Sequence, residues 1–346
     1  MKQTGLGTAR HGLGSVREVS RMITAGRVLL LAGEEELLAQ LPPGRWIGGT
    51  TAQFLTPQGN VPARGLLMFT DITSLALHTE QRHLDAASLH RIARHYPQNG
   101  FAVLIVPGFS AILLRLASEI LDYQGIYDIP LTGWVSAVDL DEIGQRTPKT
   151  FAGTPYARDD RAAVMYVTLP ETAFAELHVI NLFTPGDGPE IRVPAQGFHI
   201  SGDCLIDGHP HNLARYIETQ NIDPSLPLIA DQEGALLNVS ILKNDPLDGT
   251  VSVFAPVNPS LTYRFAEAVL NYQEEFTHAA GELGPVEEVV FSSVCVLNLQ
   301  YAALAEKHGL SLSAPVSFGE IAYTVLNQTL TCLSINQFGG MEEFNE

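Results

Sequence analysis

The feature that most restricts the fold is an internal recurrence, in which three segments repeat the order strand, helix, strand, strand. The first opens with Val28-Leu-Leu-Leu-Ala32, is broken by Gly33, predicts two helical turns over Glu34 to Leu41, and returns in Arg45-Trp-Ile-Gly-Gly-Thr-Thr51. Carboxylates in its first turn suit the positive end of the helix dipole. The second opens with Phe101-Ala-Val-Leu-Ile-Val106 and Pro107-Gly108. It then places Ile112, Leu113, Leu116 and Ile120 on one helix face and re-enters a strand over Ile129 to Ala137. The third reads Val286-Glu-Glu-Val-Val-Phe291, Ser292-Ser293, then Leu297, Tyr301, Leu304 and Ala305 at helical spacing, then Pro315 to Ile321.

Each copy gains one more strand, at Gly65–Asp71, Arg161–Leu169 and Gln328–Ile335. Strands joined through a helix run parallel, whereas a strand added by a shorter link runs antiparallel. The fold class is therefore α/β, with repeated β-α-β-β units forming mixed sheets in two related halves. We place the halves at 1–185 and 186–346, divided near the turn-rich Thr184-Pro-Gly-Asp-Gly-Pro189. Between the second and third copies lies a β-rich stretch, with strands at Glu176–Phe183, Phe198–Ile200 and Cys204–Ile206. Asp207-Gly208 supplies a type I′ turn, and a short helix is expected over Asn212 to Gln220.

Composition narrows the partners. Twenty basic against thirty-eight acidic side chains give a net charge of −18, a field that repels nucleic acid. No apolar run reaches the roughly 18 residues of a membrane span, so no membrane insertion is expected. The basic N-terminal stretch with Arg10, Arg17, Arg21 and Arg27 reads as a solvated first helix, with no export signal. Cys204, Cys295 and Cys332 are odd in number and lack CxxC spacing, which points to a reducing cytoplasm.

In open α/β sheets, ligands sit beyond the carboxyl ends of the parallel strands. That singles out the turns Gly33-Glu34, Pro107-Gly-Phe-Ser110 and Ser292-Ser-Val-Cys295, with Gly48, Gly49, Gly133 and Gly319 in the returning strands. The candidate ligand-binding residues are Thr50, Thr51, Ser110, Trp134, Ser136, Ser293, Cys295 and Glu320. Asn327 and Gln328 are expected to fix the adjacent strand by side-chain hydrogen bonds. The competing reading of the glycines is that they only relieve crowding between helix and sheet.

The same segments carry a resemblance. Trp46-Ile-Gly-Gly-Thr-Thr-Ala52, Pro130-Leu-Thr-Gly-Trp-Val-Ser-Ala-Val-Asp139, Val289-Val-Phe-Ser-Ser293 and Phe318-Gly-Glu-Ile-Ala322 with Asn327-Gln-Thr-Leu-Thr331 resemble the FIST sensory family over roughly residues 25 to 336. The turn Asp207-Gly-His-Pro210 is similar to that family's NGxP hairpin. The resemblance implies a cytoplasmic sensor that binds a small molecule, with amino acids proposed for the family and haem with nitric oxide for some members. It also implies that a signal passes to a separate signalling or enzyme protein. Where the family often has a cysteine in the third copy, this chain has Ser293, with Cys295 two residues on. Leu326 stands where the family has a histidine before Asn-Gln-Thr.

Two other classes stay open. A haem-binding gas sensor or haem enzyme would use His199, between Phe198 and Ile200, as axial ligand. A cysteine or serine hydrolase would use Cys295 near a helix start, although Gly-x-nucleophile-x-Gly is absent. His83 and His90 would share a helix face at a spacing too wide for a zinc pair, and His209 and His211 fall at a hairpin tip. GxGxxG and GxxxxGK[ST] are both missing, so dinucleotide and P-loop nucleotide binding lack their signatures; no triad can be drawn, and no catalytic residue is assigned. A homodimer is a further open alternative.

Overall fold

The computed structural model describes residues 7–232, 234–283, 289–301 and 312–338. The first unit is led by strand β1 (Arg10–Gly14) and helix α1 (Val16–Thr24). Ser15 caps α1 by accepting the Glu18 N–H at 3.3 Å, and the Glu18 carboxylate accepts the Ser15 N–H at 2.8 Å. Strand β2 (Leu29–Gly33) is buried along its whole length, as a strand covered on both faces must be. Helix α2 (Glu35–Leu38) is shorter than the predicted two turns, because Pro42 and Pro43 follow and the residue before a proline avoids helical geometry. Strand β3 (Trp46–Thr50) runs parallel to β2, with Leu31 opposite Gly48. Strands β4 (Gln53–Thr56) and β5 (Gly59–Pro62) form a hairpin, and β6 (Leu67–Asp71) returns antiparallel to β2 and β1.

The second unit repeats the pattern. Strand β7 (His78–Leu84) precedes β8 (Gly100–Pro107), helix α3 (Ala111–Glu119) and β9 (Leu131–Ser136), which pairs parallel with β8. Strand β10 (Thr150–Ala152) closes the first sheet against β3. Strand β11 (Ala162–Thr168) lies antiparallel between β8 and β7, and β12 (Ala173–Ile180) follows. His83 thus sits in strand β7 and shares no helix face with His90, which lies in a 3-10 helix over Leu89–His95. The chain around His83 is recruited as the antiparallel edge partner of β11, a pairing that outweighs local helical spacing.

The middle of the chain is mostly strand: β13 (Ile191–Arg192), β14 (Gly197–Ser201), β15 (Asp203–Ile206) and β16 (His209–Asn212). Asp207 and Gly208 both have positive φ, 47° and 81°, as the type I′ turn requires. Asn212 caps α4 (Leu213–Thr219) by accepting the Arg215 N–H at 3.1 Å. Strands β17 (Leu228–Gln232), β18 (Ala235–Val239), β19 (Ile241–Asp245), β20 (Thr250–Val257) and β21 (Tyr263–Phe265) complete two further sheets, and α5 (Tyr272–Gly281) follows.

The third unit is built from β22 (Val289–Cys295), α6 (Val296–Tyr301), β23 (Ala314–Ser317), β24 (Glu320–Ala322), β25 (Thr324–Leu326) and β26 (Leu330–Gln337). Strands β22 and β23 are parallel and β26 is antiparallel to β22, as in the other copies. Val286 to Glu288, Leu304 and Ala305 lie outside the described residues. Two expectations are corrected here. Ser292 and Ser293 belong to strand β22, which runs on to Cys295, so they form no strand-to-helix turn. The predicted strand from Pro315 to Ile321 is two strands broken at Phe318-Gly319. Gly319 adopts φ 157°, and there the chain changes partner, from β22 along β23 to β9 along β24, with Glu320 opposite Trp134. Strand β23 also pairs with β4, and β26 with β12, so the third unit is hydrogen-bonded into the sheets of the first two.

Candidate functional site

The carboxyl ends of the returning strands meet. Ala137 N–H donates to the Thr50 carbonyl at 2.8 Å, Thr51 Oγ1 donates to the Val316 carbonyl at 2.6 Å, and Val135 N–H donates to the Gly319 carbonyl at 2.8 Å. Three chemically similar turns are thereby tied into one junction, whose inner part is packed. Trp134, Ser136, Ser293, Cys295 and Glu320 are all buried, Trp134 stacking on Phe291 with ring centroids 5.3 Å apart. Glycine serves this packing. A Cβ on Gly49 would sit 2.6 Å from Ile105 Cγ2 and 3.0 Å from Trp134 Nε1, so residue 49 must lack a side chain for the sheets to approach.

The outer part of the junction opens into a cleft of about 580 Å3, within the size range of small-molecule sites. It is lined where β2, β3 and β9 end, by Glu34 and Glu35, by Thr50 to Gln53, and by Ala137 to Asp139. Pro62, Arg64, Asp141, Glu142, Arg146 and Thr147 complete the wall. All of these belong to the first two units. The third reaches only a narrow crevice beneath, where Val296, Val316 and Phe318 meet Thr51 and Ala137.

Of the residues singled out from sequence, Thr50 and Thr51 line the cleft. Their hydroxyls are already engaged, Thr50 Oγ1 accepting the Lys149 N–H at 2.9 Å and Thr51 Oγ1 held by Val316. Ser110 caps α3, accepting the Leu113 N–H at 3.1 Å and donating to the Pro107 carbonyl at 2.6 Å. Ser293 Oγ lies 3.4 Å from Ser317 Oγ. Trp134 Nε1 and Ser136 Oγ are buried without a hydrogen-bond partner among the described residues.

Two groups show what burial does to chemistry. The Glu320 carboxylate accepts Ser317 Oγ at 2.7 Å and Thr329 Oγ1 at 2.6 Å, yet desolvation outweighs these bonds and pushes its pKa up to about 8. The Cys295 thiol is driven upward by desolvation and then by the Glu320 charge, against weaker opposing hydrogen bonds from backbone N–H groups including Gln328 and Leu297. That is the reverse of the activation a nucleophilic thiolate requires. His199 stands exposed on β14, its Nδ1 3.0 Å from Ser252 Oγ. Among the described residues no group of three or more His, Cys, Asp or Glu is placed to hold a metal ion.

The sequence reading missed Arg64, Asp141, Glu142, Arg146 and Thr147. Most lie in the segment after β9, where a 3-10 helix over Leu140–Glu142 is too short to show a period. The available signal was position, since that segment leaves the same strand end as Ser136. The charge of the wall is uneven: five carboxylates face two guanidiniums, and Arg146 is committed to ion pairs with Glu36 and Glu142.

Over residues 14–336 the chain matches a family described as a family of unknown function, DUF6976. The chain belongs to the DUF6976 family. The match covers all three β-α-β-β units and the β-rich middle, so the cleft is built wholly from DUF6976 sequence. No curated protein matches the chain. No helix among the described residues is long and apolar enough to cross a membrane.

Proposed function

We propose that this DUF6976 chain is a small-molecule-binding protein with a sensory or accessory role, holding its ligand in the cleft at the ends of β2, β3 and β9. The observation that carries this reading is the cleft itself, about 580 Å3 and placed at the carboxyl ends of parallel strands. The resemblance to the FIST family supports a sensor, and the free, buried cysteines suit a reducing cytoplasm. The wall chemistry favours a small polar ligand carrying a positive charge, such as an amine or amino acid. Glu34, Glu35, Asp139 and Asp141 form no ion pair with a described residue, and a cation among them gains more than an anion would.

Native mass spectrometry of freshly purified protein, followed by calorimetric titration with a panel of amines and amino acids, tests this. Retained or titrated ligand is expected at one per chain. The double substitution Glu34→Gln, Asp141→Asn should weaken it roughly tenfold with an unchanged unfolding midpoint. Absence of any saturable ligand, or affinity indifferent to both substitutions, would overturn the reading.

A further inference from the structure

A second concavity lies on the opposite chemistry. Where β7 meets the 3-10 helix over Leu89–His95, a cleft of about 370 Å3 is lined by Arg82, His83, Leu84, Ser88, Arg91 and His95. No carboxylate is among its lining residues, in a chain whose net charge is −18.

Neighbouring side chains hold the donors in place. Glu80 grips the Arg82 guanidinium by an ion pair and stands 4.0 Å from His95 Nδ1. The His95 ring also packs at 5.7 Å on Tyr166, itself fixed by a 3.0 Å bond from its hydroxyl to the Ile92 carbonyl. Asp85 accepts the Ser88 hydroxyl at 2.6 Å. Arg91 differs from its neighbours: its Nε donates to His90 Nε2 at 3.3 Å, and it forms no ion pair with any described residue. His83 alternates with Arg82 along β7, so its ring lies on the other face of the strand and is not one of the cleft's donors. A forked guanidinium without a carboxylate, beside a second guanidinium and an imidazole, matches the donor set that recognises tetrahedral oxyanions.

We infer that this cleft is an anion site for the phosphoryl group of a small phosphomonoester, distinct from the acidic cleft and independent of what that cleft binds. Arg91 supplies the free fork, Arg82 and His95 flank it, and the volume beyond a bare phosphate leaves room for the ester's organic part.

The test is calorimetric titration of the full chain at low ionic strength with inorganic phosphate and with a simple sugar phosphate, repeated on Arg91→Gln and on Arg64→Gln in the acidic cleft. Saturable binding of both anions at one site per chain is expected, tighter for the sugar phosphate. Arg91→Gln should weaken it at least tenfold with no change in unfolding midpoint, and Arg64→Gln should leave it intact. No saturable binding, or binding that survives Arg91→Gln and is lost with Arg64→Gln, overturns the assignment. Phosphate binding without preference for the ester would overturn the phosphomonoester and leave only a free-phosphate site.

Discussion

The turns of the first two units and the turn of the third occupy equivalent places in a repeated motif, yet one set opens onto water and the other is sealed. Glu34-Glu35 and Ala137–Asp139 border a cleft, whereas Val294, Cys295 and Ser317 are buried. Repetition of β-α-β-β brings strand ends together, because each unit carries its parallel pair in the same sense. Side-chain type then decides whether the meeting place becomes cavity or core. After β2 and β9 come Glu34, Glu35, Asp139 and Asp141, too strongly hydrated to pack. After β22 come Val296 and Leu297, which fill space, and the buried carboxylate of that region, Glu320, is clamped by two hydroxyls.

The sharpest way to break the packed side is at Gly133. Its φ is 153° and a Cβ there would lie 1.8 Å from the Leu104 carbonyl oxygen of the paired strand, a clash with backbone that no rotamer relieves. Gly133→Ala should therefore cost more than about 4 kcal/mol or abolish folding, placing it in the exceptional tail of single substitutions. Denaturant unfolding or soluble yield measures this. A near-parental midpoint would mean that β8 and β9 are not paired as described.

Much of this contrast was legible in the sequence, for identifiable reasons. Continuous apolar runs such as Phe101–Val106 announce strands buried on both faces, and the three units form with the parallel and antiparallel senses expected of their link lengths. The cleft was half legible: Thr50 and Thr51 follow from strand ends, but Arg64 and Arg146 arrive from loops whose path depends on tertiary packing. Burial of Glu320 was illegible. Sequence places a carboxylate beside a glycine, and only the pairing of β24 with β9 carries it inside. His83 misled because periodicity cannot register that β11 offers its edge to β7.

A smaller effect is expected at Asn327, which joins the third unit to the β-rich middle. Its Nδ2 donates to the Phe318 carbonyl at 2.9 Å and its Oδ1 accepts the Ser240 N–H at 3.2 Å, all buried. Asn327→Ala leaves a donor and an acceptor unpaired, at a cost of about 2–4 kcal/mol. Ligand affinity in the acidic cleft should stay within about twofold, since Asn327 is not in its wall. Equilibrium unfolding and titration on the same preparation check both. Lost affinity at an unchanged midpoint would make Asn327 part of the binding site.

The mildest perturbation isolates the charge of Glu320 from its shape. Its pKa is about 8 in the folded chain against an ordinary 4.5, so between those values the unfolded chain has released a proton that the folded chain still holds. Stability from this group is thus complete below about pH 4.5 and is lost as pH rises toward 8, on the order of 1 kcal/mol per pH unit at the steepest. His83 works in the other direction. Burial first, then Arg158 and Arg161, push it down to about 4, so its contribution is lost as pH falls from about 6.5. Comparing the parent with Glu320→Gln cancels that background. The amide keeps the volume: its oxygen can accept from Thr329 where Oε2 did, and its NH2 can donate to Ser317 Oγ, which turns its own proton to the Val294 or Gly319 carbonyl, at little cost near pH 5. The variant should gain on the parent steadily from pH 5 to 8. If the difference between their unfolding free energies stays flat across that range, the carboxylate is ionised in the folded chain, and the packed side of the junction holds a buried charge.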